Sequence, residues 1–395
     1  MITREPKKKH QVAPEIKNLG VGITMLPHAM RELTALGLQE KVLSAGIENY
    51  NSAFFNRFGQ LIYQEPRGRR AGYSVPEVGI HRGRLHTILY EAACERLGRE
   101  RIVLNRRCVG VEQNDAHVVL RFQETTTGAT ADPVRADIAL ACDGVNSAVR
   151  KHYYPDEELA FEGINTWRGV SRGKPILDGR TYIRIGSIKT GKIVIYPIEN
   201  DVDGKGNQLI NWTTEAPLMG RPKNDWNKPG KTEDFFHVFK DWRFEWLDVA
   251  QMILDSDVVL EYPMCDKDPI VTWTFGRVTL AGDAAHPMYP RGSNGSAQAV
   301  IDVRVLADLL ARGGDVQATL KEYEAARAAP TAQVVRTNRA HPPDFINIKV
   351  EELTGDKPFD NLDKYITQDE LRTLSDSYKR VAGFALADVK PQVKA

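Results

Sequence analysis

The sequence has 395 residues, which is long enough for two lobes around a sizeable core. Lysine and arginine number 53 against 52 aspartate and glutamate, so the net charge of +1 gives no reason to expect nucleic acid as a partner. No apolar run reaches membrane-spanning length, and the four cysteines lack zinc-site or disulfide spacing, which predicts a cytoplasmic protein with no membrane contact and no bound metal.

The first part of the chain predicts alternating helices and strands. Residues 27–38 carry apolar side chains on one helical face, and a second helix is predicted over 85–97, after the segment His81-Arg82-Gly83-Arg84. Strands are predicted where apolar residues alternate with polar ones or form short runs: 61–64, 73–80, 102–111, 117–123 and 136–141.

Residues 151–275 have a different character, because short strand patterns recur between clusters of Gly, Asp and Asn. This spacing is typical of a mostly antiparallel sheet. Tryptophans concentrate here, as a wall facing an aromatic substrate would require, but for each of them a core position is the favoured interpretation. These tryptophans are Trp167, Trp212, Trp226, Trp242 and Trp246.

The most informative stretch lies at 276–310. A short strand, 278–281, stops at Gly282-Asp283, a Pro- and Gly-rich loop follows, and a helical pattern begins at Ser296. Asp283 can accept hydrogen bonds from a polyol chain, and the backbone N–H groups of 293–295 would point at an anion in front of the helix. A flavin presents both groups, a ribityl chain and a ring edge that is negative when reduced.

A further amphipathic helix is predicted over 316–328, ended by Pro330, with helical character again over 331–339 and a break at His341. The tail has helical periodicity around 371–381. It could pack on the preceding domain or on a second subunit, and the sequence does not decide between these.

The 276–310 stretch resembles the FAD-dependent aromatic hydroxylases of the para-hydroxybenzoate hydroxylase type, and more narrowly their phenazine-carboxylate and salicylate monooxygenase branch. The segment CDGVNSAVR at 142–150 is similar to a second motif of the same family. The resemblance covers residues 13–340. It implies an α/β fold: a Rossmann-like FAD-binding domain of the GR2 type, truncated at its N-terminus, with an inserted, mostly antiparallel β-sheet substrate domain and a C-terminal helical segment.

The corresponding predicted domains are 11–160 and 276–340 for FAD, 161–275 for the substrate, and 341–395 for the helical tail. The resemblance assigns no catalytic residue. It allows Trp167, Met288 and Tyr289 to line the substrate site, and packing in the core or in the loop is the alternative for each of them. Arg84 is the second candidate for the cofactor contact assigned to Arg82. The residues it assigns to cofactor binding are Arg82, Asp143, Gly282, Asp283, His286, Pro290, Gly292, Ser293, Asn294 and Gly295.

One family feature is missing from the sequence. Family members open with a strand, a G-x-G-x-x-G turn, a helix and a second strand ending in an acid. Here Gly20-Val21-Gly22 lacks the third glycine, and the acid's position falls at Gln11. About 30 residues, the size of one βαβ opening, are thus expected to be absent or replaced. Either Met1 is not the true start or the pyrophosphate cradle is lost.

The resemblance therefore implies an enzyme that uses FAD, NADH or NADPH, and O2 to hydroxylate a small aromatic or heteroaromatic carboxylate through a flavin C4a-hydroperoxide; a homodimer is possible. One alternative is a truncated or divergent, non-catalytic relative that does not retain FAD. Flavoprotein reductases or cyclases on the same fold are a third class, but they match the segments 142–150 and Trp167-Arg168-Gly169 less well.

Overall fold

The structure is a computed structural model that describes residues 9–10, 13–15, 20–217 and 228–386. None of the helices in these ranges is both long and apolar enough to cross a lipid bilayer. Within them the α-helices are α1 (Pro27–Ala35), α2 (Gln39–Ser44), α3 (Arg82–Leu97), α4 (Ala148–Tyr153), α5 (Phe236–Phe239), α6 (Val249–Leu254), α7 (Gly295–Ala311), α8 (Val316–Ala340), α9 (Phe345–Thr354) and α10 (Gln368–Val381). The strands are β1 (Lys9–His10), β2 (Gly22–Met25), β3 (Gly46–Glu48), β4 (Asn51–Phe55), β5 (Leu61–Pro66), β6 (Val78–His81), β7 (Ile102–Val103), β8 (Arg106–Gln113), β9 (Val118–Glu124), β10 (Thr130–Ala136), β11 (Ala139–Ala141), β12 (Ala160–Gly173), β13 (Thr181–Ser187), β14 (Gly191–Glu199), β15 (Gln208–Pro217), β16 (Lys228–Pro229), β17 (Arg243–Phe244), β18 (Leu247–Asp248), β19 (Ser256–Asp266), β20 (Thr274–Phe275) and β21 (Val278–Leu280).

The largest element is an eight-stranded sheet in the order β16-β19-β12-β15-β14-β13-β4-β5. Its neighbouring strands are antiparallel except for β13 and β4, which run parallel. The predicted, mostly antiparallel sheet is confirmed. It also includes residues 51–66, which the sequence assigned to the first FAD segment. Ala53 and Phe55 join this sheet because their side chains share a core with Ile183 and Ile185.

The two faces of this sheet differ because successive side chains of a strand point to opposite sides. One face, here called the core face, is apolar and packs under α5 and α6. The ring of Trp212 crosses Gly169 so closely that a Cβ there would lie 2.3 Å from the ring. The core face consists of Ala53, Phe55, Trp167, Ile183, Ile185, Ile193, Ile195, Ile210 and Trp212.

The opposite face, here called the polar face, carries charged and hydroxyl-bearing side chains. It turns toward the loop between β21 and α7. At the β4 and β5 end, α9 and α10 cover it with an apolar cluster that includes Phe54, Tyr63 and Ile346. The polar face includes Ser52, Phe54, Tyr63, Glu65, Arg168, Val170, Tyr182, Arg184, Lys192, Val194, Tyr196, Asn211, Thr213 and Glu215.

Smaller sheets form the rest of the α/β part. Strands β11 and β21 pair in parallel, so the turns that follow them leave the same edge of the sheet. Strands β2, β6 and β3 form a second sheet, and β1 pairs in parallel with β7. The predicted α/β class, with helical structure in the C-terminal region, is confirmed.

The prediction that Pro330 ends a helix is wrong. Helix α8 runs through it from Val316 to Ala340. Proline removes the backbone donor to the carbonyl of Ala326, but buried side chains such as Val334 and Val335 hold the second half of the helix in place. Packing therefore outweighs the local cost of the proline.

Candidate functional site

The turns after β11 and β21 lie side by side and are joined by Arg150. Its guanidinium donates to the carbonyls of Ala284 at 3.1 Å and Ala285 at 2.7 Å. Asp143, in the first turn, accepts hydrogen bonds from the Ser147 hydroxyl at 2.5 Å and the Ala148 N–H at 2.8 Å. Both carboxylate oxygens of Asp143 thus hold the start of α4, and a contact with cofactor stays a prediction.

Asp302 of α7 fixes the second turn from beneath. Its carboxylate accepts hydrogen bonds from the Gly282 N–H at 2.9 Å and from Arg327 Nε at 2.7 Å, and it lies 2.6 Å from His286 Nε2. Burial disfavours the charged form of Asp302, but the attraction of His286 and Arg327 outweighs it and lowers the pKa of the carboxyl. Asp302 is a positioning residue that the motifs did not reveal. The signal that could have found it is an acidic residue within the apolar pattern of helix α7.

His286 lies on the inner side of the turn. It is 2% exposed, contacts Asp302, and its ring centroid is 5.4 Å from that of Trp273. The side chain of His286 thus holds the turn from its inner side. A contact of this residue with the flavin stays a prediction.

The outer side of the turn has the chemistry expected for a polyol and an anion. Asp283 is exposed at the end of β21. The side chain of Asn294, at the N-cap of α7, contacts His28 Nε2 at 3.1 Å and donates to the Tyr378 hydroxyl at 3.3 Å. The Asn294 side chain therefore does not cap α7, and among the described residues the first N–H groups of the helix, beginning at Gly295, are left without that cap and suit an anion.

The loop before α7 contacts both the polar face and α10. Ser293 has a positive φ of 55°, and its hydroxyl lies 3.3 Å from that of Tyr182. Gly292 also has a positive φ, 76°, and a Cβ there would lie 1.9 Å from the hydroxyl oxygen of Tyr378. Pro290 is exposed at the start of this loop. The loop is thus shaped by its contacts as well as by its glycines.

Arg82 is exposed at the first residue of α3 and next to β2, where its N–H donates to the Val21 carbonyl at 3.0 Å. The reserve candidate, Arg84, is paired with Glu199 at 2.7 Å. Arg82 is thus the better placed of the two for a bidentate contact with an anion, and this role stays a prediction.

The prediction that Trp167 lines a substrate site is wrong. Trp167 belongs to the core face, is 1% exposed and stacks on Phe235 with a centroid distance of 4.9 Å. Strand alternation turns it away from the loop before α7. The favoured core interpretation holds for Trp167, Trp212 and Trp242, and Trp246 packs against the same core; Trp226 lies outside the described residues.

Met288 and Tyr289 are buried by loop packing. Met288 clusters with Val334 and Val335 of α8. Tyr289 packs with Ile164 and Met264, and its ring is 5.4 Å from the guanidinium carbon of Arg291. Substrate contact by either residue stays a prediction.

A buried charge cluster lies where the polar face meets the loop, and sequence patterns gave no sign of it. Lys192 pairs with Glu215 and, at 2.8 Å, with Asp344, while Arg291 Nε lies 3.3 Å from Glu215. Burial disfavours the charged form of Lys192, but Asp344 and Glu215 outweigh it and raise its pKa. The four side chains join β14, β15, the loop and the segment before α9.

Comparison with known proteins agrees with this geometry. The sequence profile described as "FAD binding domain" matches residues 16–171 and 265–338. The chain belongs to this family. It is 37% identical over 331 residues to the phenazine 1,6-dicarboxylic acid hydroxylase PhzS of Lysobacter antibioticus, covering 83% of this chain and 81% of the relative. It is 28% identical to 3-hydroxybenzoate 6-hydroxylase 1 of Aquipseudomonas alcaligenes, covering 85% and 82%.

Among solved structures, the fold matches Klebsiella pneumoniae HpxO complexed with FAD and uric acid, with a TM-score of 0.72 and 20% identity over 96% of this chain and 90% of that one. The family assignment makes the protein an FAD-dependent monooxygenase with NAD(P)H as co-substrate. The predicted resemblance, enzyme class and cofactor are confirmed.

The residues described fit the ring and ribityl portion of FAD. Asp283 would hold the ribityl hydroxyls, and the uncapped start of α7 would face the ring edge that becomes negative on reduction. When bound, FAD supplies the redox and oxygen chemistry. The chain's own residues would bind and orient the cofactor, position the ring to be hydroxylated, and keep water from the reacting groups.

Proposed function

We propose that this protein hydroxylates a small aromatic or heteroaromatic carboxylic acid, using FAD, O2 and NADH or NADPH. The observation that carries the proposal is the position of the polar face of the large sheet, opposite the loop between β21 and α7. A substrate held between them would be flanked by the polar side chains of the sheet and by the start of α7. Relatives named for phenazine dicarboxylate and hydroxybenzoate support the substrate class.

A cytoplasmic location and a homodimer are further parts of this proposal. None of the four cysteines forms a disulfide in the structure, as is usual in a reducing compartment. The subunit composition is measured by light scattering of the purified protein.

Cofactor binding is tested first. Absorbance spectra of the purified protein before and after addition of FAD should show flavin bands that remain after gel filtration. Asp283→Ala should raise the Kd for FAD at least roughly tenfold, because hydrogen bonds to a charged group contribute about 1.5–3 kcal/mol. Asp308→Ala, an exposed acid on the outer face of α7, is the matched control and should leave the Kd unchanged.

Turnover is tested next. NADH and NADPH oxidation and O2 uptake are measured with aromatic acids, including a phenazine carboxylate and hydroxybenzoates, and products are identified by mass spectrometry. A hydroxylated product supports the proposal. A protein that stays colourless with added FAD, or that binds FAD without hydroxylating any of these acids, would contradict it and favour a non-catalytic relative.

A further inference from the structure

Arg168 lies near the centre of the polar face, one residue from the buried Trp167. On the neighbouring strand its partner in register is Thr213. The guanidinium carbon lies 4.8 Å from the ring centroid of Tyr262, so one side of the fork rests on an aromatic ring. Among the described residues, the buried Nε of Arg168 has no hydrogen-bond partner. A buried donor without a partner is rare and calls for an explanation.

The surface around Arg168 is partly exposed. Arg168, Val170, Val194 and Thr213 occupy adjacent positions of three central strands, and each is partly exposed. On the core face, by contrast, the side chains of the same three strands are buried, as those of Trp167, Ile193 and Trp212 show. The partly exposed patch is bordered by Tyr196, which is buried and stacks on Tyr182 with a centroid distance of 4.9 Å and an interplanar angle of 8°.

The positive charge of Arg168 is poorly compensated. Burial lowers its pKa, and the nearby charge of Arg82 acts in the same direction. Tyr262, Tyr196 and Glu215 act in the opposite direction, but the one carboxylate among them, that of Glu215, is already engaged by Lys192 and Arg291. The guanidinium is therefore placed to accept a further anion, and its planar fork suits the two oxygens of a carboxylate.

We propose that Arg168 binds the carboxylate of the aromatic substrate, with the substrate lying over the patch formed by Val170, Val194 and Thr213. This inference rests on the proposed function and adds a specificity residue to it. Arg168 would select aromatic acids over neutral aromatic compounds. Thr213, opposite Arg168 in register and partly exposed, is a second donor for the same carboxylate in this proposal. The apolar side chains of Val170 and Val194 provide the contact surface for the aromatic ring.

The test compares an acid with its neutral analogue in the FAD-loaded protein. An aromatic acid that the wild type hydroxylates, with phenazine-1-carboxylate as the first choice, is paired with its carboxamide. Arg168→Met keeps most of the side-chain length and removes the charge. It should raise the Kd and KM for the acid roughly tenfold to hundredfold, the loss expected for a charge-assisted pair, and change those for the carboxamide less than about threefold.

Arg168→Lys keeps the charge without the planar guanidinium and should give a smaller increase in the Kd and KM for the acid. If the Met variant does not fold, the Lys variant still tests the inference. Arg172 is an exposed arginine on the same strand, so Arg172→Met is the control and should bind the acid and the carboxamide as the wild type does. The Kd for the acid is read from the change in flavin absorbance, and the Kd for FAD is measured for every variant.

The outcomes separate the possible roles. Weaker binding of the acid alone, with unchanged FAD affinity, supports the inference. Equal losses for acid and carboxamide, or no loss for either, overturn it. Loss of FAD affinity in Arg168→Met and Arg168→Lys also overturns it, because the anion would then be a cofactor phosphate. Wild-type protein that binds FAD but turns over no aromatic acid would refute the proposed function itself, whereas an active wild type with unaltered variants would refute only this inference.

Discussion

The two faces of the eight-stranded sheet are built from the same strands and differ in almost every other respect. On the core face, Trp167 and Trp212 are sealed under α5 and α6. On the polar face, Arg168 and Thr213, their immediate neighbours in sequence, are partly exposed beside charged groups. One residue along a strand thus separates a side chain that stabilises the fold from one that faces the proposed site.

This difference shows where each face obtains its stability. The core face gains it from apolar burial, which is largely independent of pH and ligand. The polar face depends on paired charges, on the loop before α7 and on the C-terminal helices. Substitutions on the first should mainly change folding, and substitutions on the second should mainly change binding and pH dependence.

The largest effect is expected from Trp212→Ala. The ring is fully buried and its Nε1 donates to Ser256 Oγ at 2.8 Å, so removing it should lower the free energy of unfolding by about 3–5 kcal/mol. Thr213→Ala, one residue away on the polar face, should cost far less. Urea denaturation followed by circular dichroism measures both. Equal losses of unfolding free energy in the two variants would mean that the two faces contribute equally to stability.

Asp302→Ala should come next, at roughly 3 kcal/mol, because it leaves Arg327 buried without its counter-charge and frees the turn at Gly282. Asp308→Ala, further along α7, breaks only the exposed pair with Arg304 and should cost under about 1 kcal/mol because solvent screens it. Thermal unfolding of the two variants gives the comparison. A similar melting temperature for both would show that Asp302 does not hold the turn.

Gly292→Ala tests the contact between the loop and α10. Gly313→Ala is the matched control, since φ is 75° there against 76° at Gly292, but nothing lies within 4 Å of the added Cβ. The control should lose about 1 kcal/mol from backbone strain, and Gly292→Ala about 1–3 kcal/mol more from the clash with Tyr378. Tyr378→Phe, which removes the hydroxyl, should recover part of this excess in the double variant. Equal losses at both glycines would argue against the contact.

The smallest effect is a pH dependence at Glu65, a polar-face residue that binds α10 through Lys379 at 2.7 Å. Burial disfavours the charged carboxylate, but Arg67 and Lys379 outweigh it, so the pKa of Glu65 in the folded state lies below its ordinary value of 4.5. The stabilisation should therefore be fully present above pH 4.5 and be lost as the pH falls below it.

This is measured as the difference in unfolding free energy between the wild type and Glu65→Gln. The difference should be constant near neutral pH and shrink in acid. Glu112→Gln, at an exposed pair with Arg121, is the control and should show a weaker pH dependence. A difference that grows toward low pH would contradict the assigned shift.

The sequence by itself determined the local framework of the site. The apolar run ending at Gly282-Asp283 and the helical pattern after the glycine loop are local signals, and both elements form where they were expected. The recurring strand patterns of residues 151–275 predicted the mostly antiparallel sheet. These features were predictable because backbone conformation and strand period depend on neighbouring residues.

Tertiary structure decided which of the predicted residues face the site. It turned Trp167 into the core and His286 onto Asp302, placed residues 51–66 in the large sheet, and carried α8 through Pro330. It also assembled Lys192, Glu215, Arg291 and Asp344 from four separate segments. None of these outcomes is encoded within a short window, because burial and charge pairing depend on side chains that are distant in the chain and become neighbours only in the folded protein.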